Sequence, residues 1–124
     1  MKLWKIALLM TDMQAARALY VDKLGFPIVD TIDVGEQGEC LVLDAGAVRL
    51  ELIPAGVFAG APGGLDKPGI HHISLWSDEV EQDTAAFKAK GVPVLLEPFN
   101  PVPGMTLAFF EGLDGVKVQL FNQK

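Results

Sequence analysis

Two stretches of the chain carry the same alternation of apolar and polar positions. Trp4-Lys5-Ile6-Ala7-Leu8-Leu9-Met10-Thr11-Asp12-Met13 and His71-His72-Ile73-Ser74-Leu75-Trp76-Ser77-Asp78-Glu79-Val80 each read as a strand that ends in hydroxyl and acidic residues and runs into a helical pattern. The match continues downstream. Leu24-Gly25-Phe26-Pro27-Ile28-Val29 answers Lys90-Gly91-Val92-Pro93-Val94-Leu95, and Ala47-Val48-Arg49-Leu50-Glu51-Leu52-Ile53 answers Gly115-Val116-Lys117-Val118-Gln119-Leu120-Phe121. The offset stays between 66 and 68 residues, a register that chance similarity rarely keeps, so the chain reads as one module written twice.

Within the first module, residues 2–10 predict a strand with Trp4, Ile6, Leu8 and Met10 on one face and Leu3, Lys5, Ala7 and Leu9 on the other. Thr11 to Gln14 has the form of a capping box. A helix follows over Ala15 to Leu24, with Ala16, Leu19, Tyr20 and Lys23 or Leu24 inward, and Gly25 stops it. Strands are expected at 27–34, 39–44 and 47–53, which makes the module βαβββ. Pro54 to Gly69, rich in glycine and proline, is the linker.

The second module repeats the order. A strand at 70–76 is followed by a helix at 79–90, capped by Ser77 or Asp78, with Val80, Thr84 and Phe87 inward and Gly91 at its end. Strands are expected at 93–97, 105–111 and 116–122, the last two joined by a Leu113-Asp114-Gly115 turn. Pro98 to Gly104 is too proline-rich for a ladder and is expected to loop over the mouth of the sheet. The predicted fold class is α+β: two tandem βαβββ modules forming a curved eight-stranded mixed sheet around a cleft, with helices on the outer face. Residues 1–124 form a single domain, with module 1 at about 1–53, a linker at 54–69 and module 2 at about 70–124.

Composition narrows the function classes. A net charge of −6 with no basic run argues against nucleic acid as a partner. No apolar run approaches a membrane span, and the charged start does not resemble a signal core, so a cytoplasmic location is expected. Cys40 is the single cysteine, which leaves no internal disulfide and no thiolate cluster; it reads as a small buried strand residue.

The alternation also assigns the side chains that enter the cleft. Val48, Leu50 and Leu52 suit the helix-facing side, which turns Arg49 and Glu51 inward; by the repeat, Lys117, Gln119 and Phe121 follow them. Lys5, Ala7 and Leu9 are the inward set of the first opening strand, and His72, Ser74 and Trp76 that of the second. His71 aligns with Trp4, is expected to face a helix, and reads as structural. Val57-Phe58 either closes the cleft or sits at a dimer interface.

The doubled βαβββ order, the Ile6-Ala7-Leu8 and His72-Ile73-Ser74-Leu75 openings with an acidic residue at each helix start, and the Leu50-Glu51-Leu52 strand resemble the vicinal oxygen chelate superfamily. That group includes glyoxalase I, bleomycin-resistance proteins, extradiol dioxygenases and methylmalonyl-CoA epimerase. The resemblance implies one metal ligand on the opening strand and one on the closing strand of each module, positions held here by Lys5, Glu51, His72 and Gln119. Glu51 and His72 fit. Lys5 stands where His or Gln is expected, and Gln119 where Glu is expected.

A protonated lysine has three donors and no lone pair, so it cannot coordinate a cation and repels one. Glu51, His72 and Gln119 then remain as a degenerate metal set, short of the three strong ligands a divalent site wants. Opposite charges near 4 Å attract by roughly 4 kcal/mol before desolvation, so Lys5 either pairs with Glu51 in place of a metal or snorkels to the rim. Arg49 and Lys117 either make the cleft cationic, which suits carboxylates or phosphates, or lie on a solvated strand face.

The expected function is therefore a small-molecule-binding protein without a cofactor. Its ligand is anionic or aromatic and is held by Lys5, Arg49, Ser74, Trp76, Lys117 and Phe121. The alternative is a lyase or isomerase of the glyoxalase I kind that uses nickel, zinc, manganese or iron, with Glu51 and His72 as the candidate catalytic residues. The resemblance further implies a homodimer.

Overall fold

The computed structural model of the chain describes residues 1–23, 25–112 and 116–124. Leu24, expected in the inward stripe of the first helix, and the Leu113-Asp114-Gly115 turn lie outside the described residues. The chain divides into two compact units, one of residues Lys5–His71 and one of Met1–Trp4 with His72–Lys124. Each follows the βαβββ order, and the fold class is α+β.

In the first unit, β1 (Lys2–Met10) runs parallel to β4 (Arg49–Pro54), and β3 (Glu39–Asp44) joins β4 antiparallel to β2 (Ile28–Asp33). Leu8, Leu41, Leu43 and Leu52 are buried with Ala16 of the helix side, and Ile6, Met10 and Leu50 pack against them. This is the face that alternation assigned to the helix. Ala7, Leu9, Cys40 and Ile53 form a second buried cluster on the opposite face.

The first helix departs from expectation in two respects. Asp12 caps it in place of Thr11: its backbone is extended, at φ −134°, and its carboxylate accepts a hydrogen bond from the Ala15 amide at 3.0 Å. α1 (Met13–Arg17) then widens into a π-helical segment, Ala18–Lys23. The wider turn moves the inward position on by a residue, so Tyr20 and Val21 pack on the core while Leu19 is exposed. Gly25, at φ +77°, ends the segment with its amide donating to the Val21 carbonyl.

In the second unit, β5 (Gly69–Trp76) runs parallel to β8 (Lys117–Gln123), and β7 (Met105–Phe110) joins β8 antiparallel to β6 (Val94–Phe99). α2 (Val80–Ala89) buries Val80 and Thr84, and Val80 lies with Ala108, Phe110 and Leu120, against which Phe87 packs. β6 continues through Pro98 to Phe99, further than proline content suggested. Register shifts at Leu96 and Phe99 absorb the missing ladder donor, and the loop begins only at Asn100.

Candidate functional site

On β1 and β4 the register sets Lys5 opposite Arg49 and Ala7 opposite Glu51, so these side chains share one face, and β3 adds Val42 beside Glu51. Lys5 Nζ lies 2.9 Å from Glu51 Oε1, and the two side chains are 4% and 6% exposed. The sequence reading set Lys5 either against Glu51 or at the rim; the structure has the ion pair. Arg49 is half-buried beside it.

Further along the same face, Val57 and Phe58, in the short helical turn Ala55–Phe58, pack over the cluster of Ala7, Leu9, Cys40 and Ile53. The linker is thus a strap across this sheet rather than a loose connection. His71, on β5, packs against the strap and not against a helix. Its Nε2–H donates to the Leu65 carbonyl, and its ring lies against Phe58 with centroids 4.3 Å apart. Cys40 is buried, and its thiol is pushed up to about 12, chiefly by burial and then by the Glu51 carboxylate, with the Lys5 ammonium opposing.

The second unit carries the other expected side chains. His72 faces Lys117 across β5 and β8, Ser74 faces Gln119, and Trp76 faces Phe121. His72 is fully buried, with its ring edge-on to Phe109 at 5.1 Å. The Ser74 hydroxyl donates to Gln119 Oε1 at 2.6 Å. Trp76 and Phe121 meet at 5.6 Å, and Trp4 joins both, at 5.2 Å from Trp76 and 6.2 Å from Phe121. Trp4 therefore leaves the helix-facing set to which alternation assigned it, because edge-to-face and stacked aromatic contacts outweigh strict period-2 placement at a strand end.

Several partners escaped the sequence reading. Lys117, 4% exposed, donates to Glu111 at 3.2 Å, so an expected cleft cation has a carboxylate in its own unit. Asp78, expected only to cap, accepts from Trp76 Nε1 at 3.1 Å and holds that ring. The available signal was spacing: Glu111 and Lys117 flank one predicted turn, and Asp78 lies two residues beyond Trp76.

A family model for the Glyoxalase/Bleomycin resistance protein/Dioxygenase superfamily matches residues 2–120. The chain belongs to this superfamily. The hypothetical protein BH1468 from Bacillus halodurans C-125 is similar in structure, at TM-score 0.79 and 25% identity over 99% of this chain and 94% of that one. A methylmalonyl-CoA epimerase in complex with methylmalonyl-CoA and NH4+ is similar at TM-score 0.75 and 29% identity, covering 98% and 94%. The uncharacterized protein YwkD of Bacillus subtilis (strain 168) is 24% identical over 121 residues, 95% of this chain and 94% of its own length.

Many superfamily members use a divalent metal, but the donors present here do not suit one. Lys5 offers no lone pair, Glu51 Oε1 accepts from its ammonium, and Gln119 Oε1 accepts from Ser74. Among the described residues, no three His, Cys, Asp or Glu side chains gather into a metal-holding group. Nor does any described helix have the length and apolarity to cross a membrane.

Proposed function

We propose that the protein is a small-molecule-binding member of the superfamily that works without a divalent cation, with the Lys5 ammonium supplying the positive charge. The observation that carries this reading is the buried Lys5–Glu51 ion pair at 2.9 Å. Burial strengthens the attraction between these two charges and sets a fixed cation among apolar side chains. The methylmalonyl-CoA epimerase complex supports the idea from a relative, since it holds its ligand together with NH4+; here the ammonium is tethered to the chain.

The proposed ligand is a small anionic or aromatic molecule. Arg49 lies half-buried on the same strand face as Lys5 and Glu51. In the other unit, Trp76 and Phe121 form an aromatic surface, and Ser74 and Lys117 lie on the same strand face as candidate ligand contacts. At Lys117 the ligand competes with Glu111 for the ammonium. We further propose a homodimer, as the superfamily resemblance implies.

Metal analysis of the purified protein tests the reading. Nickel, zinc, manganese and iron should all be far below one equivalent, and a chelator should leave the melting temperature unchanged. Stoichiometric metal that is lost on Glu51→Ala would overturn it.

A second reading is favoured by the likeness to methylmalonyl-CoA epimerase: an isomerase acting on a thioester, with Glu51 or His72 as the group that moves the proton. Incubation with methylmalonyl-CoA in deuterated water distinguishes the two. Deuterium at the carbon between the carbonyls, lost in Glu51→Gln or His72→Ala, supports the isomerase; none supports the binder.

A further inference from the structure

We infer that the protein has a second binding site, where β1 runs into α1, and that this site takes a small primary ammonium with an apolar body. None of its lining residues belongs to the ligand set proposed above, so it serves a separate class of molecule.

The site is a groove of about 330 Å3, at the lower end of the range for small-molecule pockets, roughly 300–1,000 Å3. Three segments of one unit form it. Leu9 and Met10 come from the end of β1, Ala15 from α1, Leu19 and Tyr20 from the π-helical segment, and Pro68 from the end of the linker. π-helical turns recur at functional sites. Here the wide turn carries Tyr20 inward and leaves Leu19 43% exposed at the groove, where its side chain is apolar surface for a ligand's hydrocarbon part to cover.

Charge sets the ligand class. Among the described residues, Asp12 is the one charged side chain that lines the groove, and no Lys, Arg or His does. Its Oδ1 accepts from the Ala15 amide at 3.0 Å, which fixes the carboxylate at the groove wall. An anion placed there would meet a like charge with no cation to offset it. A neutral hydrocarbon would cover the apolar wall but press against a carboxylate that prefers water. A primary ammonium gives that carboxylate a charge-assisted hydrogen bond while its body covers the wall, and the Tyr20 ring adds attraction for a cation near an aromatic face. The net charge of −6 favours the approach of cations.

The test titrates the full chain, carbon-13-labelled at its leucine and methionine methyl groups, with cyclohexylmethylammonium. The control is cyclohexylacetate, which keeps the ring and reverses the charge. The ammonium at millimolar concentration should shift the Met10 and Leu19 methyl resonances, and the carboxylate should leave them in place. Asn caps a helix as well as Asp does, so Asp12→Asn keeps the fold and removes only the charge. Its dissociation constant should rise about tenfold, the order of one hydrogen bond to a charged group. Added salt should weaken binding by the wild type, because Asp12 is exposed. Ala15→Leu, at an exposed helical position that favours leucine, should fill the groove and abolish binding without lowering the melting temperature.

Equal shifts with cyclohexylacetate, or wild-type affinity in Asp12→Asn, overturn the ammonium class. Absence of any shift at Met10 and Leu19, or undiminished binding by a folded Ala15→Leu protein, overturns the site itself. The reading proposed above fails separately, on metal content.

Discussion

Lys5 and Glu51 are joined diagonally across the parallel pair β1 and β4: the register partner of Glu51 is Ala7, two residues beyond Lys5, yet Nζ and Oε1 are 2.9 Å apart. Two nearly fully buried charges tolerate loss of both partners better than loss of one. Lys5→Met alone should lower the unfolding free energy by about 3–5 kcal/mol, because it leaves a buried carboxylate without its ammonium. The double variant Lys5→Met with Glu51→Leu should recover most of that loss. Urea melts of the four proteins check both; equal stability of Lys5→Met and wild type would show that the pair contributes nothing.

Cys40 reports on the same pair from the neighbouring strand. Its thiol is raised from 9.0 to about 12, chiefly by burial, then by the Glu51 carboxylate, with Lys5 opposing. The unfolded thiol releases its proton near 9.0 and the folded one near 12, so the unfolded state binds fewer protons in between. Its contribution to stability is complete below the lower value and lost as pH climbs to the upper one. Cys40→Ala should therefore flatten the alkaline fall in melting temperature. In Glu51→Gln, removal of the raising charge should bring the thiol down and speed its reaction with a disulfide reagent at pH 9.

Thr84 is 3% exposed on α2, and among the described residues its hydroxyl has no hydrogen-bond partner. A buried hydroxyl left unpaired is a net cost that an apolar group of similar shape removes. Thr84→Val should raise stability by about 1 kcal/mol, visible as a higher melting temperature. A drop would mean that the hydroxyl is paired in solution.

Ser77 anchors the start of α2 from outside the helix. Its hydroxyl donates to Asp83 Oδ2 at 2.6 Å and accepts from the Glu79 amide at 3.2 Å, at a position 1% exposed. Ser77→Ala should cost about 1–2 kcal/mol by removing a cap-like bond at a buried site. Hydrogen exchange should show the loss first in the amides of the first turn of α2.

Local periodicity was sufficient for the βαβββ order of each half, the 39–44 strand and the inward stripe of α2, because each depends on neighbours within a few residues. It also set Lys5 on the same strand face as Glu51. It misplaced Trp4 and the cap of α1, where one residue at the end of an element is decided by which side chain finds a partner. Proline counting shortened β6, because a bulge that tolerates Pro98 leaves no mark on composition.

The sequence by itself determined the superfamily, through a repeat whose landmarks keep their spacing, and it set a lysine at position 5, where the resemblance leads one to expect a metal ligand. Only the tertiary structure decided that Lys117 is paired with Glu111, that Val57 and Phe58 pack over one face of the first unit, and that Ser74 donates to the oxygen of Gln119. Periodicity states which face a side chain takes, but its partner depends on the register between strands that the chain brings together only after tens of residues, and such register is a property of the folded whole.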